Sequence, residues 1–430
     1  RLVATSTALM PAVQVDDVLQ AYQSNEGIQL NKEQLNAVHL ASEKSFMLIT
    51  GGAGVGKTTV LKALYKVYEQ AGIEVVQLAL AGRAAKRMQE ATGRAASTIA
   101  NFLHVGKELS GPCAVVVDEA SMVDIVTMQR LVEMLGSDVR IVMAGDPEQL
   151  MPVGPGLVLH ALVRVPTVPL AELKVIKRYG GDIAEAAVSI REGVWPELSS
   201  DESDAIAFVN CAEHWPESGA SLISETVLDL YKLDPVNTQI LSARRNSPDG
   251  VKTINSVCQS ACTAGNRPML VWSAQYDQMV LTGFHLGDTV LCTRNMWERG
   301  LQNGSLGVIV EIEDAPHELP EEAAWPIEPA LAWVLWDDGI RRPVVESMLD
   351  DLELGYAITV HKAQGSQWPR VIFPLTGHRL LDRTLIYTAI TRAQVQVLIV
   401  GDEAAARAAV EAEPRVRSRQ VALDLHILKA

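Results

Sequence analysis

Two apolar rhythms alternate along this chain, and their alternation sets out its architecture. Phe46-Met47-Leu48-Ile49 is short and continuously apolar, which predicts a strand buried on both faces. Glu74–Ala79, Ala114–Val117 and Arg140–Ala144 predict further strands, and Lys57–Gln70, Arg83–Thr92 and Val123–Leu135 carry helical spacing. Asn31-Lys32-Glu33-Gln34 opens an earlier helix with Asn31 as its cap. Strands alternating with helices at this interval predict a parallel α/β sheet. Residues 164–181 read as a junction and 195–219 as polar and irregular. Ile183–Arg191 reads as a helix, and Leu222–Leu233, Thr238–Leu241 and Val251–Ala261 restart the rhythm as a second parallel-sheet domain.

Residues 284–350 break the rhythm. Short β-type runs (Thr289–Thr293, Gly307–Ile312, Ala332–Trp336, Arg342–Val345) are separated by turn-rich stretches such as Asn303-Gly304 and Asp337-Asp338-Gly339. This predicts a small antiparallel barrel or sheet. The α/β pattern then returns with Tyr356–Val360, Val371–Pro374, helix Asp382–Ile390, strand Val395–Val400 and helix Glu403–Glu413. The expected division is a leader over 1–29, a first domain over 30–175, a second over 176–283 and 351–430, and the β module inserted over 284–350.

With 430 residues and 48% apolar content, the chain can build several large cores. No apolar run reaches the ~18 residues of a membrane span, so no membrane partner is expected. Residues 1–14 lack the pattern of a signal peptide. The chain opens on Arg1, which reads as a trimmed or processed product or the tail of a larger protein. Five scattered cysteines, without histidine or cysteine partners at finger-like spacing, read as buried reduced thiols of a cytoplasmic protein rather than a zinc site. The formal net charge of −15 excludes a generally basic surface but not a local basic groove, for which Arg83/Lys86/Arg87 is the first candidate.

The chemistry starts at Gly51-Gly52-Ala53-Gly54-Val55-Gly56-Lys57-Thr58, between a strand and a helix. Strand, Gly-rich turn and Gly-Lys-Thr at a helix start make a phosphate-binding loop: backbone N–H groups and the helix dipole face the anion. Lys57 adds a charge at the β/γ-phosphates and the Thr58 hydroxyl a ligand for Mg²⁺. Val115-Val116-Val117-Asp118-Glu119 ends an apolar strand in two carboxylates, where ligands of parallel sheets bind. Asp118 is placed to hold Mg²⁺ and Glu119 to deprotonate the attacking water. In Gly145-Asp146-Pro147-Glu148-Gln149-Leu150, Gln149 reads either as a γ-phosphate contact or as a turn residue.

Gly51–Thr59, Asp118–Asp124, Gly145–Leu150 and Tyr387-Thr388-Ala389-Ile390-Thr391-Arg392-Ala393 together resemble the ordered motifs of superfamily 1 helicases. Gly82–Met88 and Tyr356–Ser366 make the resemblance specific to the RecD-like branch, over roughly Leu30 to Asp402. It implies two RecA-like parallel-sheet domains forming an ATP cleft, with the small β-barrel inserted in the second. It implies a monomeric ATP- and Mg²⁺-dependent motor moving 5′→3′ on single-stranded DNA, with a nuclease or relaxase domain or subunit as a further partner. An RNA helicase, or a strand-binding subunit that needs a partner to unwind, are the rivals.

By the same resemblance, Gln34 reads adenine, and Gly52, Ala53, Gly54, Val55, Gly56, Lys57, Thr58, Thr59 and Gly365 surround the nucleotide. Gln149 couples the γ-phosphate to DNA, and Arg178 and Arg392 act as arginine fingers. Arg83, Ala84, Thr359, His361, Lys362 and Gln364 lie near the DNA backbone. Phe102, Trp297, Tyr356 and Trp368 are candidate base stackers, and Arg294, Arg299 and the Asn303-Gly304 turn candidate DNA contacts of the β module. Departures from the family pattern include Ala100-Asn101, Tyr179 and Met151. The stretch Ser97–Val115 is too short for a strand-splitting hairpin and leaves room for a small turn, so translocation is expected to be better preserved than unwinding.

Overall fold

The computed structural model describes residues 8–175, 181–211, 215–317 and 328–418. It divides into two units. One holds the chain up to Trp195 together with Asp382–Thr391 and the segment from Val410; the other holds Pro196–Leu381 and Arg392–Ala409.

The first unit begins with helices α1 (Ala12–Glu26) and α2 (Lys32–Glu43). Then come β1 (Phe46–Gly51), α3 (Lys57–Gln70), β2 (Glu74–Ala79), α4 (Gly82–Thr92), β3 (Ala96–Thr98), α5 (Ile99–Val105) and β4 (Cys113–Asp118). α6 (Ile125–Glu133), β5 (Arg140–Gly145), α7 (Val158–Val163), β6 (Leu170–Leu173) and α8 (Asp182–Glu192) complete it up to Trp195. Its six strands lie in the order β3-β2-β4-β5-β1-β6, every pair parallel.

Side chains alternate across a strand, and here they feed two cores. Met47 and Ile49 of β1 and Ala114 and Val116 of β4 join one apolar cluster with α1, α2 and α3. Phe46, Leu48, Val115 and Val117 join the cluster on the opposite face. Each buried side chain of this size contributes about 1.5–3 kcal/mol. That double burial is why these strands read as unbroken apolar runs.

In the second unit, β7 (Ile206–Asn210), α9 (Trp215–Leu233), β8 (Thr238–Ser242) and α10 (Val251–Cys262) lead into an antiparallel region. There β9 (Pro268–Ser273) and β10 (Gln278–His285) form a hairpin. β11 (Thr289–Cys292), β12 (Leu306–His317), β13 (Ala330–Trp336), β14 (Arg341–Val344) and β15 (Leu352–Leu354) follow. The chain returns to the parallel sheet through β16 (Ala357–Thr359) and β17 (Trp368–Leu375), passes through α11 (Arg383–Ile390), and ends with β18 (Ala393–Gly401) and α12 (Glu403–Glu411). The parallel sheet runs β16-β8-β17-β18-β7.

The structure differs from the expected division at several places. The leader is not a bare lead-in, because α1 buries Val15, Leu19 and Tyr22, one helical stripe, in the first core. Of the expected barrel or sheet, the inserted β module shows a five-stranded sheet in the order β14-β13-β12-β11-β15, with no pairing of β14 to β15 among the described residues. Those end strands have four and three residues. Antiparallel structure also starts at β9, earlier than residue 284. Finally, α8 and α11, expected in the second domain, group with the first unit. Ser97–Val115 contains the helix α5 rather than only a turn.

All five cysteines are free. No helix among the described residues is long and apolar enough to cross a membrane.

Candidate functional site: a phosphate loop and two acidic strand ends

β1 delivers the chain to Gly51 and α3 takes it up at Lys57, so Gly52–Gly56 must reverse direction in a few residues. Gly54 and Gly56 do so at φ of 79° and 87°, a region open to glycine and strained for other residues. A β-carbon on Gly56 would stand 2.6 Å from Nε2 of Gln34. Gln34 is the third residue of α2 and completes a capping box with Asn31. Its Nε2 also donates to the Val55 carbonyl at 3.3 Å, tying α2 to the loop. Lys57 Nζ donates to the carbonyls of Gly51 at 2.6 Å and Gly52 at 3.0 Å, so its charge lies over the start of the loop. Thr58 and Thr59 follow in the first turn of α3, at the positive end of its dipole.

β4 ends on Asp118. Glu119 turns the chain at φ 52°, left-handed and rare for a residue with a side chain. Its N–H donates to Asp118 Oδ1 at 2.9 Å, which holds the turn. Burial and the neighbouring Glu119 charge push the Asp118 pKa up to about 6, against the Glu119 N–H and the charges of Lys57 and Arg87. Asp118 and Lys57 therefore share one electrostatic field. The Thr58 hydroxyl and the Asp118 carboxylate are hard oxygen donors, the chemistry that suits Mg²⁺.

β5 ends at Gly145, and the next residue, Asp146, is fully buried. Its Oδ1 accepts from the Glu148 N–H at 3.0 Å. Its Oδ2 accepts from the Tyr387 hydroxyl at 2.8 Å and from Gln149 Nε2 at 3.5 Å. Gln149 is buried, with no partner for its Oε1 among the described residues. Tyr387 also accepts from the Ala53 N–H at 3.2 Å. One hydroxyl thus joins the phosphate loop to the loop after β5. Thr388 adds a second tie, accepting from the Leu150 N–H at 3.0 Å. Burial and the Asp146 charge raise the Tyr387 pKa, so the group stays a neutral donor. His160, on α7, is buried; its ring nitrogens make no hydrogen bond of good geometry among the described residues, and the Pro147 backbone carbonyl is the polar group facing the ring. Burial pushes its pKa down to about 4.

The first unit therefore brings together Gln34, Gly52–Thr59, Asp118, Glu119 and Gln149. Arg83 sits in the first turn of α4 with Ala84 buried behind it. Phe102 is half-buried against the apolar cluster under the sheet. Thr359, His361, Lys362, Gln364, Gly365 and Arg392 lie in the second unit. There Thr359 Oγ1 accepts from the Lys362 N–H at 3.3 Å, and Lys362 pairs with Glu353 at 3.5 Å. Gly365 turns at φ 77°. Arg392 is buried, with Nη1 3.5 Å from the Ser366 carbonyl. Arg178 and Tyr179 lie outside the described residues.

Several expected surface groups are interior. Gln364 is buried. Tyr356 is buried and donates to Asp288 Oδ1 at 2.9 Å, so it packs the second unit and offers no open ring. Arg299 is buried beside Met348 and pairs with Glu328 at 3.4 Å. Sequence reasoning missed Tyr387 and Asp146 as a pair, although both stand inside recognisable motifs.

Comparison with known proteins adds the family context. Residues 29–212 match the AAA domain family and residues 354–400 the UvrD-like helicase C-terminal domain. Over 400 residues the chain is 30% identical to the ATP-dependent RecD2 DNA helicase of Deinococcus radiodurans, covering 90% of this chain and 51% of that protein. The chain thus spans about half the length of that relative. It is 31% identical over 440 residues to the RecBCD enzyme subunit RecD of Mycolicibacterium smegmatis, covering 88% of this chain and 72% of that protein. The fold is similar to a Bacteroides Pif1 helicase crystallised with ADP-AlF3 and single-stranded DNA. The TM-score is 0.57 at 19% identity, covering 91% of this chain and 96% of that one.

Proposed function

The chain belongs to the RecD-like branch of superfamily 1, the ATP-dependent DNA helicases, and from that premise we propose that it is a motor that hydrolyses ATP to ADP and phosphate to move 5′→3′ along single-stranded DNA. The observation that carries this reading is the shared field of Lys57 and Asp118, with Glu119 turned out beyond the end of β4. The amides of the loop and of the first turn of α3 bind the phosphates, and Lys57 swings from the Gly51 and Gly52 carbonyls onto the β/γ-phosphates. Glu119 takes the proton of the attacking water. Thr58 and Asp118 would hold Mg²⁺, which when bound would offset the charge of the phosphate oxygens.

Gln149 reports the terminal phosphate through its buried amide. Arg178 and Arg392 serve as arginine fingers on the strength of their motifs. Arg83, Ala84, Phe102, Thr359, His361, Lys362 and Gln364 serve the DNA side. Backbone amides and side chains at Arg83 and Thr359 bind phosphates, while the buried Gln364 acts through its neighbours. The work belongs in the cytoplasm, where ATP and replicating or broken DNA meet.

Comparing the stimulation of ATP turnover by matched DNA and RNA oligonucleotides tests the substrate. Preferential stimulation by DNA is expected, and equal or greater stimulation by RNA contradicts it.

A second reading, a strand-binding subunit that needs a partner to unwind, is favoured by the β9–β10 hairpin. It leaves Trp272 51%, Tyr276 63% and Leu281 68% exposed, large apolar side chains that a partner would cover. The region Ser97–Val115, with one short helix and no hairpin, points the same way. Unwinding of a forked duplex by the isolated chain separates the two.

A further inference from the structure

α8 ends beside the phosphate loop, and its last turn carries Arg191. A cation in the last turn of a helix is favoured by the helix dipole alone. What sets Arg191 apart is where its guanidinium goes. A β-carbon on Gly52 would stand 3.3 Å from Arg191 Nη1 and 3.0 Å from the Tyr387 hydroxyl. Glycine at this position is what lets both groups close on the loop backbone. Arg191 is only partly exposed. Among the described residues its side chain makes no ion pair and no hydrogen bond, although Asp182, Glu185 and Glu192 share its helix. A half-buried guanidinium without an anion beside a phosphate loop is a charge in search of one.

The position also says which phosphate. Lys57, the residue that reaches the β/γ-phosphates in such loops, has its ammonium on the Gly51 and Gly52 carbonyls. Gly52 therefore marks the terminal-phosphate end of the loop, and Arg191 stands at that end. We infer that Arg191 is a second cation of the phosphate site, contacting the terminal phosphate of ATP from the same structural unit as Lys57. This rests on the ATPase reading above and adds to it a residue that reads triphosphate against diphosphate.

The test measures DNA-stimulated ATP turnover, ADP binding and the unfolding midpoint for Arg191→Ala, Arg191→Lys and Lys57→Ala. In Arg191→Ala, kcat/KM for ATP should fall about ten- to a hundredfold, the loss of one charge-assisted phosphate contact. ADP affinity should stay within about twofold and the midpoint should hold, because the diphosphate does not reach this group. Arg191→Lys should recover part of the loss, since a point charge replaces a fork. Equal loss of ATP and ADP binding, or a lowered midpoint with both lost, marks Arg191 as scaffold and overturns the inference. So does turnover at the wild-type level in Arg191→Ala while Lys57→Ala is dead. Turnover retained in Lys57→Ala counts instead against the ATPase reading itself.

Discussion

Tyr387 donates its hydroxyl proton to Oδ2 of Asp146 at 2.8 Å. The Tyr387 hydroxyl oxygen in turn accepts from the Ala53 N–H. A residue more than 300 positions along the chain from Ala53 therefore decides how the phosphate loop meets the loop after β5. A change in the backbone at Ala53 is felt at Asp146, and through it at Gln149.

Tyr387→Phe removes that link while keeping the ring. It leaves the half-buried Ala53 amide and the buried Asp146 carboxylate each short of a partner, at a cost of about 1–3 kcal/mol in urea denaturation. Displacement of the loop should lower ATP turnover about ten- to a hundredfold. Unchanged turnover would show that the two loops work independently.

The half-buried Asp118 gives the fold a pH signature. Its pKa is raised from 3.8 to about 6, so the native state holds the proton longer than the unfolded chain. The stabilisation is fully present below about 3.8 and is lost as pH rises through about 6. Without divalent metal, the stability of the wild type relative to Asp118→Asn should fall across that window and level off above it. Glu119→Gln removes the like charge, so the Asp118 pKa should drop and the window narrow. The same variant should bind ATP and fail to hydrolyse it; retained turnover would place the base elsewhere.

His160 works with the opposite sign. Burial lowers its pKa from 6.5 to about 4, so its contribution is present above pH 6.5 and is lost as pH falls through about 4. His160→Leu removes the buried titrating ring and should lose less stability than the wild type between pH 7.5 and 4.5, read from denaturation midpoints. An equal loss in both proteins would show that the ring is solvated or hydrogen-bonded.

Gly56→Ala should abolish nucleotide binding while leaving the fold. The added carbon meets Gln34 Nε2 at 2.6 Å and φ is 87°. The strain, about 1–3 kcal/mol, falls on the loop and the α2 cap, not on the sheet. Circular dichroism and nucleotide titration check the two halves. Binding at wild-type affinity would mean that Gln34 yields without consequence.

Much of the fold was legible because its central strands are buried on both faces: Phe46–Ile49 and Ala114–Val117 could be nothing else so short and so apolar. The misses have physical causes. β6 is the edge of its sheet, and Leu170-Ala171-Glu172-Leu173 carries only four residues and a charge. β9 and β10 bury only Met269 and Phe284, so the apolar run Met269–Trp272 carries no in-out alternation that would mark a strand. α1 buries only three side chains and lacks a side-chain cap. The phosphate loop and the acidic strand ends were legible because local spacing builds them. The Tyr387–Asp146 bond and the approach of Arg191 to Gly52 were not, since tertiary packing alone brings those residues together.

The central claim is that ATP turnover at this loop is coupled to single-stranded DNA. Its most direct test is the rate of ATP hydrolysis with and without a single-stranded oligonucleotide, for the wild type and Lys57→Ala. Strong DNA stimulation in the wild type, and none in a folded Lys57→Ala protein, is the expected result. DNA-stimulated hydrolysis at the wild-type rate in Lys57→Ala would contradict the account.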